Sequence, residues 1–139
     1  MRVVLDTNVV VAALRSSRGA SHRLLRLVGT GRFELALSVP LVFEYEDVLT
    51  RLLPELAVKQ EDLDAVLDYL CSVAVLQSIH YLWRPFLKDP KDDMVLELAV
   101  NAGCSHVVTF NLKDFRGSQE LGVQAVPPRA FLELIGGTL

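Results

Sequence analysis

Short runs of Val, Leu and Ala recur along this chain, each separated from the next by a stretch whose apolar residues have helical spacing. The runs fall at residues 2–5, 33–37, 73–78, 106–109 and 123–126. Bounded by turn residues and rich in β-branched side chains, they read as strands. Between them, residues 9–14 are apolar on nearly all sides and suit a short buried helix. Residues 20–28 set Leu24, Leu25, Leu27 and Val28 against Arg23 and Arg26, a second helix stopped near Gly29. Ser38 and Pro40 open a third, with Ser as cap and Pro in the first turn, where its missing N–H matters least. It should run to about Leu53, before Pro54. A fourth starts at Gln60 and carries Leu63, Val66, Leu67 and Leu70 on one face; a fifth covers residues 92–102 and stops at Gly103. Pro127-Pro128 opens a terminal helix ending at Gly136-Gly137. Segments 16–19, 83–90 and 110–118 read as loops. Strands alternating with helices predict an α/β domain around a parallel sheet. With 139 residues and no internal repeat or linker, residues 1–139 are expected to be a single domain.

Hydrophobic residues make up 51% of the chain, yet no stretch approaches the roughly 20 consecutive apolar residues that span a bilayer. A rich core and no membrane segment are expected. Residues 2–5 already look like structure, so an export leader is not expected and a cytoplasmic location is. Cys71 and Cys104 form no CxxC pair and read as reduced thiols. The net charge of −3 argues against a generic polyanion binder. Its distribution is uneven, however: Arg15, Arg18, Arg23, Arg26 and Arg32 cluster early, and residues 44–68 are strongly acidic. The arginines could form a solvated helix face or a phosphate-steering patch, and charge patterning leaves both open.

In a parallel α/β sheet the crossovers are right-handed, so strand carboxyl ends and the starts of the following helices share one edge, where ligands bind. Asp6 and Asn8 directly follow the first strand, and Glu44 lies about a turn inside the helix after the second. Asp92 and Asp93 begin the helix leading to the fourth strand; Asn111 and Asp114 follow that strand. Each has an ordinary structural explanation. Asp6-Thr7-Asn8 could be a helix cap, Asp92 and Asp93 acids favoured by a helix dipole, and Asp114 a turn residue. Glu44 and Glu46 border the apolar stripe of their helix on opposite sides, and periodicity cannot choose between them. Convergence on one rim favours a shared site. Crowded carboxylates repel and call for a compensating cation. Hard divalent ions, Mg²⁺ or Mn²⁺, fit oxygen donors, and no Cys/His spacing favours zinc. Such ions lower the pKa of a bound water and stabilise the attacking and leaving oxygens in phosphoester hydrolysis.

These segments resemble the PIN domain family, which includes the VapC-like toxin ribonucleases of prokaryotic toxin–antitoxin systems. "VVLDTNVVVAAL" is similar to the family's opening strand and helix, "SVPLVFEYEDVL" to its second acidic segment, and "DPKDDMVLELAVNAGCSHVVTFNLKDF" to the third and fourth together. "VPPRAFLELI" resembles the usual ending. The match spans essentially the whole chain. It implies a three-layer α/β/α fold with a five-stranded parallel sheet in the order 3-2-1-4-5. It also implies catalytic metal ligands at Asp6, Glu44, Asp93 and Asp114, favouring Glu44 over Glu46 and Asp93 over Asp92. Asn8, Thr109, Asn111 and Asp92 become supporting residues, Asp92 as a capping or orienting group. Many members carry an acid where Asn111 stands; others place it three residues later, the pattern Asp114 fits. An RNA substrate, an antitoxin partner and a homodimer are further implications.

The reading that follows is a Mg²⁺- or Mn²⁺-dependent endoribonuclease acting on single-stranded RNA, the toxin of a toxin–antitoxin pair. A second is another Mg²⁺-dependent α/β phosphotransfer enzyme. A haloacid dehalogenase-type phosphatase is disfavoured because Asn8 stands where its general acid should, and a receiver domain because residues 73–78 carry no acceptor Asp. A third is a catalytically silent PIN-like binding module. His22, His80 and His106 are scattered and are assigned no catalysis, and Tyr81 and Trp83 are expected to pack rather than to stack on bases.

Overall fold

The first apolar run forms β1 (Arg2–Leu5), which passes directly into α1 (Thr7–Arg15) and then α2 (Ala20–Leu27). β2 (Glu34–Leu37) leads into α3 (Val39–Arg51), and α4 (Gln60–Val73) returns to β3 (Val75–Leu76). α5 (Pro90–Asn101), β4 (His106–Val108), β5 (Gln124–Val126) and α6 (Pro128–Leu134) complete the order. This computed structural model describes residues 1–79, 87 and 89–136. The segment 80–86, with His80, Tyr81 and Trp83, lies outside the described residues, as do Lys88 and residues 137–139 at the expected end of the terminal helix.

The strands form one sheet in the order β3-β2-β1-β4-β5, every neighbouring pair parallel. Helices flank it, giving the expected three-layer α/β/α arrangement. β1 is central because it can be buried on both faces: Val3, Val4 and Leu5 are at most 1% exposed. Continuous apolar runs are what central strands of parallel sheets require. The edges are correspondingly weaker, and Leu76 in β3 is 63% exposed. β3 is shorter than the run at residues 73–78 because α4 persists through Val73, with the Ala74 N–H still bonded to the Leu70 carbonyl.

Local signals explain the helix ends. The Ser38 hydroxyl accepts the Leu41 N–H at 3.3 Å, and Asp62 reaches back to the Lys59 N–H at 3.1 Å. α2 stops because Gly29 takes φ +85°, a left-handed conformation in which a Cβ would also collide with the Tyr69 hydroxyl. Two short 3₁₀ turns, Leu112–Phe115 and Ser118–Leu121, occupy what the sequence presents as loop. Arg32, from the early basic cluster, donates to the carbonyls of Ile135 at 3.4 Å and Gly136 at 3.2 Å, closing the end of α6. No helix among the described residues is long and apolar enough to cross a membrane.

Tyr45 is fully buried, and its hydroxyl donates to the carbonyl of Leu5, the last residue of β1. The contact ties α3 to the strand end that carries Asp6. Tyr45→Phe removes the donor and leaves the packing, so it is expected to cost roughly 1–2 kcal/mol. A urea midpoint unchanged from wild type would show that this bond contributes nothing.

Candidate metal centre

Asp6 leaves β1 and caps α1, in extended backbone at φ −64° and ψ 151°. One carboxylate oxygen accepts the Thr7 N–H at 2.9 Å, and the other accepts the Thr109 hydroxyl at 2.7 Å. Thr109 follows β4, is fully buried, and also accepts the Asn111 N–H on its hydroxyl oxygen at 3.0 Å. Asn8 reaches across to accept the Phe110 N–H at 3.4 Å. The first and fourth strand ends are therefore laced together through Asp6, Asn8 and Thr109. Two of these bonds place both Asp6 oxygens, leaving their remaining lone pairs for another partner.

The same edge opens into a cavity of about 920 Å³. Asp6, Glu44, Asp89, Asp92 and Asp114 all line it. Helix geometry brings each there: Glu44 sits inside α3, Asp89 caps α5 by accepting the Lys91 N–H at 2.9 Å, and Asp92 lies in the first turn of α5. Asp114 comes from the 3₁₀ turn after β4.

Asp93 does not line the cavity. Its carboxylate accepts the Leu87 N–H at 2.6 Å, whereas Asp92, expected as its supporting neighbour, does line the cavity. Neighbouring helical residues point about 100° apart, and Asp92 shares its face of α5 with Val95, three residues on, which lines the same cavity. Glu46 is exposed and away from the cavity, and Asp47 pairs with Arg51 at 3.1 Å. Of the five early arginines, Arg15 alone lines the cavity, so the Arg-rich face of α2 is not its wall. Three charged lining residues escaped the sequence reading: Asp89, Lys91 and Arg129. The Asp-Pro start of α5 would have signalled Asp89. The rule that strand ends share an edge would have reached Arg129, had it been applied to a base after β5 as well as to acids.

Among the described residues the acids lining the cavity, Asp6, Glu44, Asp89, Asp92 and Asp114, outnumber the cations, Arg15, Lys91 and Arg129. Burial raises the Asp6 carboxyl above its ordinary value; the bonds from Thr109 and Thr7 lower it, and the charges of Asp114 and Glu44 raise it again. Asp92 is pushed up to about 6, by burial first and then by Asp6, Asp114, Asp89 and Asp93. Among the described residues, the Lys91 amine lies 3.8 Å from Glu44. As placed, no three acids, histidines or cysteines among the described residues enclose a bare ion. Mg²⁺ usually keeps several waters and takes only one or two carboxylates, so a site for it need not enclose the ion with three. The donor set and its unbalanced charge fit a hard divalent cation.

A pH dependence follows. Because the folded value of Asp92 lies above the ordinary 3.8, its contribution to stability is present below 3.8 and lost as pH rises through about 6. Without divalent ions, lowering the pH from 7 to about 5 is therefore expected to raise the melting temperature relative to an Asp92→Asn variant. A difference between the two that does not change with pH would contradict the crowding described here.

The family profile described as PIN domain matches residues 2–113. The crystal structure of VapBC2 from Rickettsia felis bound to a DNA fragment from their promoter contains a chain of the same fold. It is 18% identical, with a TM-score of 0.60, over 90% of this chain and 98% of that one. No curated protein sequence matches. With a matched profile over most of its length, the 3-2-1-4-5 sheet and the acids that follow the first and fourth strands at one edge, the chain belongs to the PIN domain family.

Proposed function

We propose that this protein is a divalent-metal-dependent endoribonuclease acting on single-stranded RNA, with residues 1–139 working as one domain, and that it is the toxin of a toxin–antitoxin pair. The observation that carries the reading is the gathering of Asp6, Glu44, Asp92 and Asp114 from separate segments around one cavity, with too little positive charge to balance them. These four would hold Mg²⁺ or Mn²⁺, Asp92 standing where Asp93 was expected. When bound, the ion supplies a more acidic water and neutralises charge on the phosphoryl oxygens. Thr109 and the Thr7 N–H hold Asp6 in one orientation, which keeps its free lone pairs aimed at the cavity. Asn8 and Asn111 pin the segment after β4 beside it. Arg15, Lys91 and Arg129 border the acids and can neutralise phosphates flanking the scissile one, a local role compatible with a net charge of −3.

The likeness to VapBC2 supports an antitoxin partner, and family resemblance supports a homodimer. Family membership sets aside the phosphatase and receiver readings. The deciding experiment incubates the purified protein with single-stranded RNA in Mg²⁺, in Mn²⁺ and in EDTA. Cleavage with either ion and none in EDTA is expected. Cleavage that persists in EDTA overturns the metal assignment, and absence of cleavage together with no bound Mn²⁺ makes the protein a silent binding module.

A further inference from the structure

Phe110 is an anomaly in this site. It is 51% exposed, yet it stands between Thr109, which holds Asp6, and Asn111. Single exposed apolar side chains are ordinary on protein surfaces. This one differs in position: it is the sole aromatic among the described residues lining the acidic cavity. Its backbone is also fixed. The Phe110 N–H donates to Asn8, and the residues on either side are tied together through the Thr109 hydroxyl. The fold thus presents a half-exposed ring on a backbone held in place beside the acids. Pro127 and Pro128 at the start of α6 line the same cavity, and Arg129 follows them.

We propose that Phe110 is the seat on which an unpaired base of the substrate stacks, beside the phosphate held at the acids. The assignment rests on the nuclease reading and deepens it. In a nucleotide the base lies one sugar away from its phosphate, so a stacking ring and a phosphate-binding centre have to be neighbours. An aromatic residue whose backbone N–H donates to Asn8, next to the Thr109 whose hydroxyl donates to Asp6, meets that requirement. Stacking is tolerant of base identity but demands that the base be free of a duplex. Phe110 thereby selects single strands, while Arg15 and Arg129 take the adjoining phosphates. The charged groups that line the cavity with Phe110 favour a nucleotide over an apolar protein segment, which would leave them desolvated.

The test uses the full chain and a short single-stranded oligoribonucleotide carrying a fluorescent adenine analogue, with Ca²⁺ for binding and Mg²⁺ for cleavage. Phe110→Ala is expected to weaken binding and raise KM by on the order of tenfold, with kcat near wild type and the quenching of the analogue lost. Phe110→Trp is expected to retain affinity and quenching. A series of RNAs lacking one base at each position in turn should contain one position where the loss weakens wild type but not Phe110→Ala. If cleavage is intact and no such position exists, the stacking seat is overturned and the nuclease reading stands. If Phe110-dependent quenching occurs without cleavage in Mg²⁺, the seat stands and the nuclease reading falls. Equal RNA parameters for wild type and Phe110→Ala, with loss only of protein association, overturn the proposal in favour of a partner contact.

Discussion

Asp92→Asn is expected to lower metal-dependent cleavage by at least about a hundredfold, while Asp93→Asn stays near wild type. The two residues are adjacent and chemically identical. They differ in what their carboxylates face: Asp92 the cavity shared with Asp6 and Asp114, Asp93 the Leu87 N–H. The variant should also separate activity from stability. Asp92 is held up to about 6 by burial and by four neighbouring carboxylates, so a neutral isostere relieves repulsion and is expected to melt no lower than wild type without metal. At limiting metal, affinity for Mn²⁺ should fall as pH drops through about 6, because the proton competes for the same oxygens. An inactive Asp93→Asn beside a fully active Asp92→Asn would reverse the assignment and restore the position that family resemblance favoured.

The largest expected effect on stability lies elsewhere. Phe131 in α6 is fully buried and packs edge-on against Phe33, ring centres 5.4 Å apart and planes at 89°. It also meets the His106 ring at 5.7 Å. It thus joins the last helix to β4 and to the residue preceding β2, elements far apart in the chain. Phe131→Ala is expected to cost about 3–5 kcal/mol, through lost transfer energy and the cavity left behind. Domains of this kind are stable by about 5–15 kcal/mol in total, so the variant should unfold at a much lower urea concentration. Phe131→Leu, which refills part of the space, should recover much of the loss. A midpoint shift as small as that of an exposed substitution such as Leu134→Ala would mean that α6 is not integral to the core.

Much of this architecture was legible before any coordinates. The strands at residues 2–5, 33–37, 106–109 and 123–126 end within a residue or so of their observed limits, because buried parallel strands need unbroken apolar runs and helices need capped starts. Asp6 and Asp114 could be placed on one edge for the same reason: right-handed crossovers leave no other arrangement. The strand order itself came from family resemblance, since alternation of elements is compatible with several orders. Less accessible were the two-residue β3, whose run is shared with the end of α4, and the 3₁₀ turns after β4, which have no period to betray them.

The side-chain choices at the site divide along the same line. That acids stand at the mouth of the sheet follows from chain order and strand ends, which are properties of local sequence and topology. Which of Asp92 and Asp93 looks inward depends on the roll of α5 about its own axis, and this is set when Val95 and Leu96 lock into the core. The same holds for Glu44 against Glu46 on α3, and for Arg15 alone among the early arginines. A hydrophobic period locates the buried stripe of a helix, but a polar residue at the border of that stripe can turn either way. Its direction is settled by the shape of the neighbouring elements, which come from distant parts of the chain.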